Sequence, residues 1–265
     1  MTASATYHAS RLAGLSCATV VEEGPPRVCV HDRFALSVLT AGETVVWCRG
    51  ESHALEPGSV LMVGPGDVHR SLETAAHSSV TVMLRPDLVG ALRGRDAETR
   101  FTIPVARCPA LRAELAALVD SVREREESSA QERRLVRLFA VLSPLWTEAT
   151  RPEPALVLRT RRALTQSPGT TLSLDELASR LRCTPSYLCR VFSEHTGVGP
   201  HAYQLQQRLL EAGRLIEAGR SVARAAKLTG FGDASHLRRH FRRRFGAAPG
   251  RYQRELGAAV APPAA

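Results

Sequence analysis

The sequence predicts a mixed architecture: an all-β barrel, then a helical hairpin, then an all-α domain with two helix-turn-helix motifs. Three observations carry that prediction. Before Pro109, short β-branched runs are broken by turn signals at intervals of about 8 to 12 residues, the pattern of a sandwich or barrel. Beyond Pro109, leucines recur at three- and four-residue steps, the period of amphipathic helices. The charge also divides: residues 1–150 carry 16 Lys+Arg and 18 Asp+Glu, net −2, whereas residues 151–265 carry 19 and 8, net +11. The second part is where a polyanion would bind.

With 265 residues, 44% of them hydrophobic, the chain has ample material for a core and is long for one average domain. It has no stretch of eighteen uncharged apolar residues, and the opening MTASATYHASR lacks the basic and apolar regions of a signal peptide. A cytoplasmic protein with no membrane contact is therefore expected. The six cysteines, at 17, 29, 48, 108, 183 and 189, form no CxxC pair and read as buried or incidental thiols rather than a disulfide framework.

Residues 1–26 are small and polar, end in Gly24-Pro25-Pro26, and read as an N-terminal arm. Residues 27–108 read as the barrel, with candidate strands at Val28 to Val30, Phe34 to Leu39, Thr44 to Cys48, Val60 to Val63 and Val80 to Leu84. Over residues 109–149, Leu111, Leu115, Leu118 and Val122, then Leu135, Leu138, Leu142 and Leu145, mark two antiparallel helices. These stripes serve either to cap the barrel or to pair with a second subunit. Residues 150–156 break the pattern with two prolines and read as a linker, 157–256 as the helical domain and 257–265 as a disordered tail.

The helical domain contains a repeat. Residues 184–203, TPSYLCRVFSEHTGVGPHAY, align without a gap with residues 233–252, DASHLRRHFRRRFGAAPGRY. Ser186/Ser235, Leu188/Leu237, Arg190/Arg239, Phe192/Phe241, Gly197/Gly246, Pro200/Pro249 and Tyr203/Tyr252 are identical, so a duplicated module is implied. Each copy reads as helix, tight turn, helix. In the first, Ser173 caps a helix with Glu176 at the capping-box position, and Thr184 caps the next, with Pro185 at its first turn. In the second, Ser221 and Asp233 do the same on either side of Gly230-Phe231-Gly232. Between the copies, 200–219 predicts a long amphipathic helix.

Within each second helix, Leu188 with Phe192 and Leu237 with Phe241 lie four apart and must be core. Ser186, Tyr187, Cys189 and Arg190, and Ser235, His236, Arg238 and Arg239, are left on the opposite face near the amino end. A recognition helix offers base edges these positions in the major groove. Arg190 and Arg239 suit guanine, whose O6 and N7 one guanidinium can bond together. The run His240 to Arg244, with Arg242 and Arg243, lies further along and suits phosphates.

These residues resemble the DNA-binding domain of the AraC/XylS family of bacterial transcriptional regulators, over residues 160–256. The signature runs through GFGDASHLRRHFRRRFGAAPGRY, with Ala225 where a larger aliphatic is usual and His236-Leu237 in place of the common aromatic pair. The amino-terminal half is similar to the cupin-like sensor domain of that family, with His31-Asp32, Arg49-Gly50, Leu55 to Gly58 and Gly64 to His69 in order. The resemblance implies a transcriptional activator whose barrel binds a small-molecule effector. Its implied partners are double-stranded promoter DNA, RNA polymerase and a second copy of the chain.

His31, Arg33, Trp47 and His69 are the candidate effector contacts. A metal-binding cupin carries a fuller ligand set than His31 and His69 supply, so neither metal nor other cofactor is expected. No nucleophile, base and orienter set, and no phosphate loop, supports catalysis.

Overall fold

The computed structural model describes residues 3–23, 27–72, 75–93, 99–148, 153–166, 169–170 and 172–257. The strands are β1 (Ser4–Ala9), β2 (Leu15–Glu22), β3 (Val28–Val30), β4 (Phe34–Ala41), β5 (Thr44–Cys48), β6 (Glu51–Leu55), β7 (Val60–Val63), β8 (Val68–Ser71), β9 (His77–Leu84), β10 (Thr99–Phe101), β11 (Val105–Ala106) and β12 (Trp146–Glu148). Two antiparallel sheets face each other, one in the order β1-β2-β9-β4-β7-β11, the other β3-β8-β5-β6. A short β10-β12 ladder ties the start of the helical hairpin region to its end.

The large sheet is buried on both faces. Along β4, Phe34, Leu36 and Val38 point to one core, while Ala35 and Leu39 point into the barrel with Val46, Leu55 and Leu61. This follows from the period of two along a strand. The helices α1 (Pro86–Arg93), α2 (Pro109–Arg123) and α3 (Ser128–Leu142) cover the outer face. Leu111, Leu115 and Leu118 of α2 and Leu135, Leu138 and Leu142 of α3 share their core with Phe34, Leu36, Met62 and Leu84. The leucine stripes therefore cap the sheet, and the outward positions of α3 carry Glu132, Arg133, Val136 and Arg137. Buried Gln131 accepts from Ser10 Oγ at 2.6 Å and donates to the Ser121 carbonyl at 3.2 Å, tying the hairpin to the β1–β2 connection.

Within the expected arm, the described residues 3–23 form strands instead. β1 and β2 pair over six residues, and β2 pairs with β9 over eight, so the segment is the edge of the main sheet. What covers this edge explains why it orders: Ala5, Tyr7 and Ala18 pack into a core formed by the carboxy-terminal helices.

Those helices are α4 (Ala155–Gln166), α5 (Leu174–Leu181), α6 (Pro185–Thr196), α7 (Pro200–Glu217), α8 (Val222–Leu228), α9 (Ala234–Phe245) and α10 (Pro249–Leu256). The expected linker falls partly outside the described residues, and α4 begins at Ala155. Residues 258–265 of the expected tail also lie outside them. Two apolar clusters run across the boundary between the halves. One joins Ala5, Tyr7 and Ala18 to Leu237, Phe241, Phe245 and Tyr252; the other joins Val30 and Val68 to Leu188, Phe192 and Tyr203.

The duplicated module meets the barrel through equivalent glycines. Gly197 and Gly246, 49 residues apart in the repeat, end α6 and α9 with φ of 74° and 66°. A left-handed cap of this kind favours glycine. A Cβ on Gly197 would sit 2.0 Å from the Trp47 ring, and the Ala5 amide donates to the Gly246 carbonyl at 3.0 Å. Gly197→Ala should therefore destabilise the chain by the backbone strain of roughly 1–3 kcal/mol plus the displacement of Trp47. Gly50→Ala, at φ 93° with nothing within 4 Å, should show the backbone part alone. Denaturant unfolding of the two variants checks this; equal losses would mean that Trp47 does not press on Gly197.

Candidate nucleic-acid interface

All four helix starts in the two modules are made by the residues the sequence nominates. Ser173 Oγ accepts from the Glu176 amide at 3.2 Å, and the Ser173 amide donates to the Glu176 carboxylate at 2.8 Å, a complete capping box. The hydrogen bonds from the Ser173 backbone and hydroxyl hold the Glu176 carboxyl below its ordinary value. Thr184 caps α6 through the Tyr187 amide, Ser221 caps α8 through the Arg224 amide, and Asp233 caps α9 through the His236 amide at 2.7 Å. Each satisfies an amide that the helix itself leaves unpaired.

The two modules are joined by α7, whose 18 residues span roughly 27 Å at 1.5 Å each. Arg208 of α7 reaches across to the second module. Its Nε donates to the Thr229 carbonyl at 2.6 Å and its guanidinium lies 4.6 Å from the Phe231 ring centroid. The second module's turn is thereby fixed to the helix that carries the first.

Leu188, Phe192, Leu237 and Phe241 are fully buried, so the opposite faces of α6 and α9 are set outward. Ser186, Tyr187 and Arg190 are exposed and Cys189 is half-buried. The Arg190 guanidinium lies 5.4 Å from the Tyr187 ring centroid and 3.4 Å from Glu194, which holds it along the helix surface. On α9, Ser235, Arg238, Arg239, Arg242 and Arg243 are exposed. His236 is held edge-on against Phe231 at 5.4 Å and His240 at 4.8 Å, so it packs as much as it presents. Burial, then the charges of His236, Arg239 and Arg243, pull His240 below its ordinary value.

Arg244 does not join that surface. Together with Leu237 and Phe241 it falls on the buried stripe of α9, and its NH2 donates to the Val30 carbonyl inside the barrel at 2.6 Å. The phosphate-contact reading of the arginine run thus stops at Arg243.

Because the carboxyl ends of α6 and α9 abut the barrel, their amino ends point away from it. A cavity of about 130 Å³ lies under this contact. Its walls include Tyr7, Arg27, Cys29, His31, Thr44 and His69 from the barrel, and Arg244 and Phe245 from α9. His31 and His69 stack at 5.0 Å. Burial, then the His69 and Arg244 charges, push His31 well below its ordinary value, so it is neutral.

Of the candidate effector contacts, His31 and His69 line this cavity. Arg33 and Trp47 do not: Arg33 pairs with Glu217 of α7 at 2.6 Å, and Trp47 lies against Gly197. Both belong to the junction between the halves, as does Asp32, paired with Arg214 at 2.8 Å. The Gly64-Pro-Gly-Asp turn is structural, with Asp67 accepting from the Gly64 amide at 2.9 Å and pairing with Arg49 at 2.8 Å. Among the described residues no group of three or more His, Cys, Asp or Glu is placed to hold a metal ion, and no helix is long and apolar enough to cross a membrane.

Tyr7, Cys29 and Thr44 are cavity residues that sequence reasoning did not single out, and Arg244 is one that it assigned to phosphates instead. For Cys29 a signal was present. Arg27, Cys29 and His31 alternate with Val28 and Val30 along β3, and the valines pack against the helical half.

The fold and the outward faces of α6 and α9 define a DNA-binding transcriptional regulator with a ligand-binding barrel. Residues 27–142 match the family model described as an AraC-like ligand binding domain, and residues 177–255 match a helix-turn-helix domain. The chain belongs to the AraC family of transcriptional regulators. Among curated relatives, an uncharacterized HTH-type transcriptional regulator of Bacillus subtilis, YbfI, is 25% identical over 220 residues, covering 78% of this chain and 79% of the relative. The Msm operon regulatory protein of Streptococcus mutans is 26% identical over 110 residues, 41% of this chain and 40% of that one. Among solved structures, apo ToxT of Vibrio cholerae shares the fold with a TM-score of 0.57 at 14% identity, covering 93% of this chain and 99% of that one. ToxT bound to an unsaturated fatty acid gives 0.55 at 12% identity, with 97% of each chain covered.

Arg239→Ala is expected to lose about 1–3 kcal/mol on the cognate site and to relax preference at one base. Arg243→Ala should instead weaken every sequence alike and lower the salt slope by about one. Fluorescence anisotropy on matched and shuffled duplexes at several salt concentrations separates the two; a uniform loss for Arg239→Ala would move that residue to the phosphate class.

Proposed function

We propose that this regulator reads two adjacent major-groove segments of promoter DNA with α6 and α9 and is controlled by a small-molecule effector in the cavity under α9. The observation that carries this reading is the cavity wall itself, which Arg244 and Phe245 of α9 complete. Bound effector touches the recognition helix directly, with no relay between sites. A ligand shifts the equilibrium only by its different affinity for the two arrangements of the halves, and a wall that belongs to α9 supplies that difference.

In this reading, Ser186, Tyr187, Cys189 and Arg190 face one groove segment and Ser235, His236, Arg238 and Arg239 the next, with Arg242 and Arg243 on phosphates. The roughly 27 Å of α7 compares with about 34 Å between successive groove faces, so one chain suffices for both. The protein acts in the cytoplasm by binding rather than catalysis, as an activator that engages RNA polymerase. A homodimer would use the outer face of α3, since the leucines of α2 and α3 are consumed in the core.

The test is in vitro selection of DNA fragments bound by the full chain at moderate salt. Two conserved blocks about one helical turn apart are expected. A single block would confine recognition to one module, and no enrichment would contradict the DNA-reading role of these faces.

A further inference from the structure

Cys29 differs from every other cysteine in the chain. It is 7% exposed, lies on β3 directly across from His69 of β8, and lines the cavity. Burial pushes its thiol up, but the Arg244 guanidinium, the His69 ring and Arg27 outweigh burial and hold it at about 6. Cys17 and Cys48 are also buried, but each has a single arginine nearby, Arg123 or Arg49, accompanied by an aspartate, and burial pushes both thiols up to about 12. The groups facing the cavity around Cys29 are Tyr7, Glu22, Arg27, His31, His69, His77 and Arg244. Glu22 is paired with Arg27. Among the described residues no carboxylate pairs with Arg244, so the thiolate is its counter-charge.

The cavity also gathers polar atoms that have nothing to bond. Thr44 is 3% exposed with its Oγ1 unpartnered, and buried Arg27 Nε, His31 Nε2, His69 Nδ1 and Arg244 Nε are unpartnered as well. Buried polar groups are nearly always satisfied, so a cluster of orphans on one cavity points to a ligand with oxygen acceptors. The remaining walls combine apolar side chains, among them Ala18, Val20, Leu39 and Met83, with the hydroxyls of Ser37, Ser71, Ser79 and Thr81. At about 130 Å³ the space is close to the roughly 150 Å³ that accommodates benzene.

We propose that Cys29 is a reactive centre that takes up a small α,β-unsaturated carbonyl compound within the cavity, and that the adduct is passed to α9 through Arg244. The second part rests on the reading of the cavity as the effector site. The thiolate pair forms a sulfur–carbon bond at the β-carbon, and the C=C π pair moves to leave an enolate. Its oxygen is met by the guanidinium N–H groups, and the α-carbon then takes a proton from water. The product is a neutral thioether, with no net oxidation or reduction. Arg244 thereby loses its counter-charge in a buried place, which favours its departure from the barrel and frees the end of α9.

The experiment treats the full chain with methyl vinyl ketone and follows each cysteine by peptide mass spectrometry. Between pH 7 and 8 the Cys29 rate should change less than twofold, whereas free N-acetylcysteine treated in parallel speeds up roughly eightfold. Arg244→Gln should restore a steep pH dependence at Cys29. An unmodified Cys29, or a rate that climbs with pH like that of the free thiol, overturns the proposal. Treated and untreated chains are then compared on the selected DNA. At least a threefold change in affinity that Cys29→Ser abolishes is expected, and an adduct that leaves affinity unchanged overturns the link to α9. Failure of the untreated chain to bind DNA contradicts instead the regulator reading, independently of the adduct.

Discussion

The rest of the structure depends on the burial of the α9 carboxyl end against β1. Tyr7 sits at the centre of this contact: its hydroxyl donates to the Phe245 carbonyl at 2.8 Å, its amide donates to the Glu255 carboxylate at 2.8 Å, and its ring meets Tyr252 edge-on at 4.8 Å. Burial pushes both tyrosines up, so each stays a neutral hydrogen-bonding group. Tyr252 continues the network to Glu217 at 2.5 Å, and Glu217 to Arg33 at 2.6 Å. A hydroxyl buried without its acceptor costs about 1–3 kcal/mol, so these bonds fix orientation as well as contact.

From that contact the functional geometry follows. Seating the carboxyl ends of α6 and α9 on the barrel turns their amino ends, with Arg190 and Arg239, to solvent. It also closes the cavity with Arg244 and Phe245. The cavity wall and α9 thus share a packed core, so under the proposed function a change of a few ångströms at that wall displaces the helix assigned to base contacts. Close-packed interiors transmit such strain because they have little room to absorb it.

The duplicated module was legible in the sequence because its signals are local. Ser173, Thr184, Ser221 and Asp233 cap within three residues of themselves, and Gly197 and Gly246 end helices through their own backbone. The β1–β2 edge was not, since its small and polar residues give no strong alternation and it orders only against the helical half. The same reason hides the cavity wall. Polar residues at Arg27, Cys29 and His31 suggest a solvent face, and it is the facing sheet together with Arg244 and Phe245 of α9 that encloses them. Arg244 hides within a run of arginines, although its spacing from Leu237 and Phe241 marks it as inward. Arg33 and Trp47, legible as unusual in a barrel, serve the junction and not the cavity, a distinction that tertiary packing alone makes.

Hydrogen exchange of the full chain with and without its selected DNA tests the shared core most directly. The Ala5 amide bonds the Gly246 carbonyl and the Tyr7 amide bonds Glu255, so both report on the seating of the helical half. If recognition and barrel form one cooperative unit, DNA binding changes exchange at Ala5 and Tyr7 together with the α9 amides. Protection gained in α9 with β1 unchanged would contradict it, showing that the two halves move independently.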